Sequence, residues 1–445
     1  MKTSIRETRL KTSKNKHRAQ LHIHDLRLYA DPSRVVLRPF HLSWHAKQAE
    51  DNRALKLVDD ISALTEVEVD REYSKVLADF EDRHWQTEGM FAERWTEVQT
   101  ALHLGDTNFS SARQKLIGAY FCHEYAYAAA ALMNPSIVPH PDQSGCQEGA
   151  VRFIMSLRAV GEGHISSIAF REGIALPSGQ IDLWPQGTWA TSVELDNGSL
   201  TDSDSAVMVH RNANSSLSNT VIFPVTEQQR NGLEDLRLVR FQHDDGHYEW
   251  IGTYTAYSGS TIRSELLRTT DFKQFALEPI EGEAGRNKGM ALFPEKIGDQ
   301  YAMIGRQDGK NLFLLQSPRL DRWEGEGRLI MEPRYPWEFI QIGNCGSPIR
   351  TSHGWLLLTH GVGAMRKYAL GCALLDLDDP SKLLARTVEP LLTAENADRS
   401  GYVPNVIYTC GAMRLENQLI IPYGISDSSV GFASIAIDDL LKTME

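Results

Sequence analysis

Apolar side chains recur every three or four residues from about position 46 to 133. Leu55, Val58, Ile61 and Leu64 form one stripe; Tyr73, Val76, Leu77 and Phe80 form a second; Met90, Phe91, Trp95, Val98 and Leu102 form a third. This is the spacing of amphipathic helices that bury one face. After Gly105-Asp106-Thr107-Asn108 a last helix is predicted, capped by Ser110 or Ser111. It would carry Leu116, Tyr120, His123, Tyr127 and an alanine run to Leu132. Being apolar nearly all round, that helix should be buried against the rest of the protein. The region reads as a packing or oligomerisation appendage.

Around Asn134-Pro135 the helical period gives way to short β-rich runs separated by turn residues, at 151–157, 165–170, 248–257, 301–304, 355–359 and 418–422. A strand, an acidic turn and a returning strand recur in weakly similar form from Leu266, Leu314, Ala373 and Ala433. These starts lie 48 to 60 residues apart, the size of a four-stranded propeller blade. Roughly 310 residues at that spacing allow five or six blades. A propeller would matter for function because its blades converge on one central pocket.

Composition adds little chemistry. The 445 residues are 42% hydrophobic and 23% charged, an ordinary globular balance. No run approaches the roughly 18 apolar residues that would span a bilayer. The first twenty residues are basic but lack an apolar core, so no secretory signal is expected. Five dispersed cysteines without a CxxC pair argue against a zinc site and a disulfide framework, and suit a reducing cytosol. A net charge of −12 disfavours nucleic acid as a partner.

Four polar clusters could carry chemistry. The densest is Asn231-Gly232-Leu233-Glu234-Asp235-Leu236-Arg237, at the start of a predicted strand. Adjacent side chains on a strand face opposite ways, so Glu234 and Asp235 should do different jobs, one facing a pocket and one bracing a blade. The second holds Arg286-Asn287-Lys288-Gly289, then Leu292-Phe293-Pro294-Glu295-Lys296 and Arg306. The third runs from Ser347-Pro348-Ile349-Arg350 to His360-Gly361-Val362. Arginine suits phosphate because its planar donors bind oxygens in pairs. Taken singly each cluster also reads as surface charge; together at successive blades they could converge on one anion. The fourth, Gly401-Tyr402-Val403-Pro404-Asn405 with Tyr423-Gly424-Ile425-Ser426-Asp427, mixes rings with carboxylate and amide, which suits a sugar. No GxGxxG at a βα turn, P-loop, GxSxG or HExxH is present, and Gly161-Glu162-Gly163-His164 is too sparse for a nucleotide loop.

At these residues the sequence resembles glycoside hydrolase family 130, the β-mannoside phosphorylases and related β-1,2-mannosidases. The resemblance rests on Gly232-Leu233-Glu234-Asp235-Leu236-Arg237, on Ala291-Leu292-Phe293-Pro294-Glu295-Lys296-Ile297, and on Gly354-Trp355-Leu356 leading to His360-Gly361-Val362. Val403-Pro404-Asn405 and Tyr423-Gly424 with Asp427 complete it, with Arg34-Val35-Val36-Leu37-Arg38-Pro39-Phe40 as an N-terminal outlier. It implies an all-β fold, a five-bladed β-propeller over residues 134–445. An N-terminal segment, 1–45, would join that propeller, and the α-helical appendage, 46–133, would lie between them.

The resemblance also implies roles. Asp235 matches the catalytic acid, with Glu234 and Arg237 bracing it or touching the sugar. Asn134, Arg158 and Asp427 match mannose-binding positions, and Tyr423 belongs with them. Arg286, Asn287, Arg306, Arg350 and His360 match the phosphate-binding set. Inorganic phosphate would be a co-substrate beside the manno-oligosaccharide, with no cofactor and no metal; the cysteine usage read above makes the expected location cytoplasmic. Phosphate would attack the anomeric carbon while Asp235 supplies a proton through the mannosyl 3-hydroxyl. Leu236, Gly289 and Gly305 depart from the phosphorylase pattern, as do the stretch 156–164 and the helical region. A β-1,2-mannosidase using Glu281, Glu283 or Glu338 as base is therefore the first rival. A catalytically silent sugar-binding propeller is the second.

Overall fold

A computed structural model describes residues 21–40, 42, 52–187, 189–195 and 205–445. The basic leader read above, the start of the first predicted helix and residues 196–204 lie outside the described residues.

Three helices form where the stripes predict them and a fourth follows, and local signals fix the starts of the first, second and fourth. Asn52 accepts from the Ala54 and Leu55 amides to begin Arg53–Ser62, and Thr65 with Glu68 makes a capping box for Glu66–Phe80. Thr87–Ala101 follows, then Ser111–Tyr120, whose cap is Ser110 accepting from the Arg113 amide. Val58, Ile61, Val69, Phe91, Trp95, Val98, Leu116 and Ile117 share one buried core. Leu37 of the preceding strand joins it. None of the described helices is long and apolar enough to cross a membrane.

The last helix is shorter than its composition predicts. It ends at Tyr120; Cys122–Ala126 pairs antiparallel with Val35–Pro39, and Ala131–Pro139 pairs with Val151–Val160. Alanine's helix propensity is worth only tenths of a kcal/mol per residue, so strand partners that satisfy the same backbone groups override it. His123, Tyr127 and Leu132 are therefore sheet or turn residues.

The rest is mostly β, in sheets linked by apolar cores. The largest runs Ala131–Pro139, Val151–Val160, Ser166–Ala175, then Gly232–Gln242, Tyr248–Tyr257, Ile262–Thr269, Gln274–Pro279 and Val207–His210, ending on Glu194–Leu195. Its two halves are joined as strands through one parallel pair, Gly232 with Ser166, and share an apolar core. A four-stranded sheet follows (Ala291–Leu292, Tyr301–Gly305, Leu312–Ser317, Arg328–Met331). A third is built on Gln341–Asn344, Gly354–Val362, Tyr368–Leu375 and Leu383–Arg386. The last contains Ile407–Tyr408, Gln418–Ile425 and Ser429–Ala436, with His22–Tyr29 on its edge.

The cores link these groups in order. Val239, Phe241 and Ile251 pack with Met290, Met303 and Trp323; Phe293 and Ile304 pack with Trp355 and Leu357; Leu358 and Leu370 pack with Leu419 and Ile435. Ile420 and Phe432 then pack with Phe153 and Met155, returning to the first strands. The repeats from Leu266, Leu314 and Ala373 each become a strand, a turn and a strand. The repeat from Ala433 instead turns into the helix Ile437–Leu441, because His22–Tyr29 already pairs with Ser429–Ala436 as its outer neighbour.

Candidate active site

The site forms around Asp235, and backbone geometry puts it there. The pairing of Gly232–Gln242 with Tyr248–Tyr257 shifts register between Glu234 and Arg237, and Asp235 takes φ +56°. The bulge cancels the strand alternation, so Glu234 and Asp235 turn to the same partner instead of opposite faces. Arg158 Nη2 donates to Glu234 Oε1 at 2.7 Å and Nη1 to Asp235 Oδ1 at 3.4 Å. Arg158 Nε donates to Ser166 Oγ at 2.9 Å, at the pair that joins the two halves of the sheet.

Asn134 arrives by the same device. It sits at φ +50° in a second register shift, between Met133 and Ser136, and its Nδ2 donates to Asp235 Oδ1 at 2.6 Å. A Cβ on Gly424 would lie 3.3 Å from Asn134 Oδ1, so the glycine after Tyr423 is what lets Asn134 in. Of the eleven non-glycine residues with positive φ among those described, Asn134 and Asp235 sit at the two strand bulges, His164 in the turn after the strand of Arg158, and Ser426 and Asp427 in the turn before Ser429–Ala436. Strain of this kind persists where the surroundings enforce it and gathers at functional sites.

On the other flank Arg237 is buried and donates to the Asp235 carbonyl at 3.0 Å and to the Tyr408 hydroxyl at 2.7 Å. The Tyr408 ring meets His360 at 4.8 Å, edge to face, and Tyr368 stacks on His360 at 5.8 Å. Arg237 Nε and Asn134 Oδ1 are buried with no partner within the protein. Two unpaired polar atoms on either side of one carboxylate mark a place for a polar ligand.

The charges sort the groups. Burial pushes the Asp235 carboxyl up, but Arg158, Arg237 and the Asn134 hydrogen bond outweigh it and hold it below the usual carboxylate range. Burial, with Asp235 alongside, raises Glu234 despite Arg158, and lifts Asp427 to about 6. Burial and then Arg306 and Arg237 keep His360 well below its ordinary value, so it is a neutral imidazole near pH 7. It therefore offers hydrogen bonds and not the charge that its phosphate role by resemblance suggests. Arg306 and Lys288 have no hydrogen-bonded or ionic side-chain partner among the described residues. Lys288 nonetheless acts on both Glu234 and Asp235.

Asp235, Glu234, Arg158, Asn134, Arg237, Asp427, His360 and Arg306 are thus brought together. Arg286 and Asn287 stand in the adjoining loop, where the Asn287 carbonyl accepts from Ser264 Oγ and Arg286 is exposed. A Cβ on Gly289 of that loop would lie 3.9 Å from Arg237 Nη2. Two residues are elsewhere. Arg350 pairs with Glu295 at 2.5 Å and lies over the Trp355 ring, an exposed contact between sheets. Tyr423 is buried in a hydrophobic core beneath Arg27, because strand alternation turns it away when Gly424 faces Asn134. Sequence reasoning missed Tyr408, Ser166 and Lys288 as site residues. Lys288 stood inside a recognised cluster; Tyr408 and Ser166 carried no local signal.

A cavity of about 480 Å³ lies apart from this site, between the N-terminal strand and the first sheet, lined by Arg34, Tyr127, Leu157 and Arg171.

A buried acid among cations, with unpaired polar atoms on both flanks, defines an enzyme site for a polar, partly anionic substrate. The family model of glycoside hydrolase family 130, described as beta-1,4-mannooligosaccharide phosphorylase, matches residues 195–445, and the chain belongs to that family. A 1,2-beta-oligomannan phosphorylase of Thermoanaerobacter sp. (strain X514) is 33% identical over 231 residues, 50% of this chain and 75% of that protein. A beta-1,2-mannobiose phosphorylase of the same organism is 35% identical over 212 residues, 47% of this chain and 68% of that one. In fold, the chain resembles the crystal structure of a putative glycoside hydrolase from Bacteroides ovatus ATCC 8483, with a TM-score of 0.51 and 18% identity over 73% of this chain and 91% of that one. Asn134 and Arg158 precede the residues matched by the family model.

Proposed function

We propose that the protein is an inverting β-mannoside phosphorylase, built on a five-bladed propeller, that converts a β-mannoside and phosphate into α-mannose 1-phosphate and a shortened sugar. Support for the blades comes from the serial cores, which return to the first strands, and from the N-terminal strand that completes the last sheet. Support for the substrates comes from the relatives, which are named as phosphorylases of β-1,2-mannosides.

The observation that carries the reaction is the arrangement of Arg237, Arg306 and neutral His360 on one flank of Asp235, with Asn134, Arg158 and Asp427 on the other. Phosphate would take the cationic flank, where Arg306 is uncommitted, and attack the anomeric carbon as the leaving oxygen accepts a proton. An entering nucleophile that is already anionic replaces the second carboxylate of an ordinary inverting glycosidase. Asp235 is ionised in the ligand-free site; a bound phosphate brings negative charge beside it and shifts it toward the protonated form that a general acid requires.

The hydrolytic alternative loses its candidate bases. Glu338 is buried in an ion pair with Arg386, Glu281 pairs with Arg322 at 3.4 Å, and Glu283 precedes the turn Ala284–Arg286 as an exposed residue. None makes a hydrogen bond or ion pair with Asp235 or His360 among the described residues. Steady-state kinetics test the phosphate role: Arg306→Ala is expected to raise the KM for phosphate far more than the KM for the mannoside. Equal effects on both would remove that role.

A further inference from the structure

Two loops meet beside the Asp427 flank of the site, and the chemistry above uses neither. One is the single turn Glu162–His164, which directly follows the strand carrying Arg158. The other holds Tyr402. The Tyr402 hydroxyl and His164 Nδ1 lie 3.2 Å apart, and the two rings are tilted by 38° with centroids at 5.8 Å. Tyr402 is 52% exposed although its hydroxyl is held, so its ring is presented to solvent.

Both loops are pinned. Gly163 and His164 take φ +66° and +60°, the Tyr125 hydroxyl donates to the Glu162 carbonyl at 2.6 Å, and the Gly161 amide donates to the Ile165 carbonyl at 3.2 Å. On the other side the Val403 amide donates to the Ser426 carbonyl at 3.1 Å. A Cβ on Gly401 would lie 2.2 Å from that same carbonyl, so only glycine lets the Tyr402 loop sit directly on the turn of Asp427. A fixed, exposed aromatic pair tied to Arg158 on one side and to Asp427 on the other is positioned as part of a binding wall.

We propose that Tyr402 and His164 form the wall that receives the departing saccharide, and so set which acceptor sugar the enzyme takes; this rests on the phosphorolytic reading. Inversion places the entering phosphate and the departing oxygen on opposite faces of the anomeric carbon. With phosphate on the Arg237, Arg306 and His360 flank, the leaving sugar lies on the flank of Asp427 and Arg158, where the pair stands. An exposed tyrosine ring offers an apolar face to sugar C–H groups, and its hydroxyl and the imidazole offer hydrogen bonds to sugar hydroxyls.

The test runs the reaction in the synthetic direction, with α-mannose 1-phosphate as donor and mannose as acceptor, in the wild type, Tyr402→Ala, Tyr402→Phe and His164→Ala. For Tyr402→Ala the KM for acceptor should rise about three- to tenfold, the range expected for one lost stacking partner. The KM for mannose 1-phosphate should stay within about twofold, well below one factor of ten. Tyr402→Phe, which keeps the ring, should fall between wild type and Tyr402→Ala. Melting temperatures of all four establish that the fold is kept. A wild type that is active in both directions with variants whose acceptor KM is unchanged, or whose two KM values rise equally, would overturn the inference alone. A wild type that neither forms nor consumes mannose 1-phosphate would overturn the phosphorolytic reading and this inference with it.

Discussion

At the scale of single residues, three carboxylates, Glu234, Asp235 and Asp427, share Arg158, and Asp235 also faces Arg237. Asp235→Asn should lower turnover by roughly 10² to 10⁴, the contribution of a positioned acid, and lower the melting temperature through the lost pairing with Arg158, while calorimetry finds mannoside affinity nearly unchanged. Retained turnover would remove Asp235 from its role. Asp427 gives a pH signature. Its carboxyl is held at about 6 in the fold against 3.8 in the open chain, so the folded state binds that proton more tightly. Its contribution to stability is fully present below pH 4 and is lost as pH rises through about 6. Asp427→Asn should therefore stabilise the protein by about 1 to 3 kcal/mol at pH 7.5 and by almost nothing at pH 4, read from denaturant titrations at both. An equal change at the two pH values would contradict the assignment. Asp235 was legible because Glu234, Asp235 and Arg237 cluster in six residues of a recognisable motif. The shared direction of Glu234 and Asp235 was not, because it comes from a left-handed backbone at Asp235 that no pattern of polarity reveals. Tyr408 comes from 171 residues further along the chain, and a lone tyrosine in a strand gives no sign of the arginine it will meet.

Among elements, the glycine at the joint between the two halves of the large sheet has the clearest consequence. Gly232 has φ +152°, and a Cβ there would lie 2.8 Å from the Ser166 Cβ. Ser166 Oγ in turn holds Arg158 Nε. Gly232→Ala should cost about 1 to 3 kcal/mol through crowding and should lower kcat/KM as well, because the displaced Ser166 no longer fixes Arg158. A stable variant with wild-type kinetics would show that the joint does not position the site. The helical region answers differently: Ser110→Ala, which removes the cap of Ser111–Tyr120, should cost about 1 kcal/mol with kinetics unchanged. Three helices and most strands could be read from periodicity, since 3.6- and 2-residue patterns record which face is buried. The alanine-rich stretch after Tyr120 could not, because its strand partners, Val35–Pro39 and Val151–Val160, are fixed by tertiary pairing.

For the whole molecule, the placement of the site depends on the first described strand meeting the last. His22–Tyr29 pairs with Ser429–Ala436, which leads out of the turn bearing Asp427, and Arg27 also reaches Asp398 at 3.7 Å. Repeats of 48 to 60 residues made a series of β-sheets legible from sequence, but the repeats did not show which segment would finish the last sheet, since the N-terminal strand shares no repeat with it. The central claim is that this assembly turns over β-mannosides with phosphate. Its most direct measurement is a single incubation with β-1,2- and β-1,4-mannobiose, with and without inorganic phosphate, assayed for mannose 1-phosphate and free mannose. The expected result is mannose 1-phosphate from one of the disaccharides, formed only when phosphate is present. Mannose released at the same rate with or without phosphate, and no mannose 1-phosphate, would contradict the account.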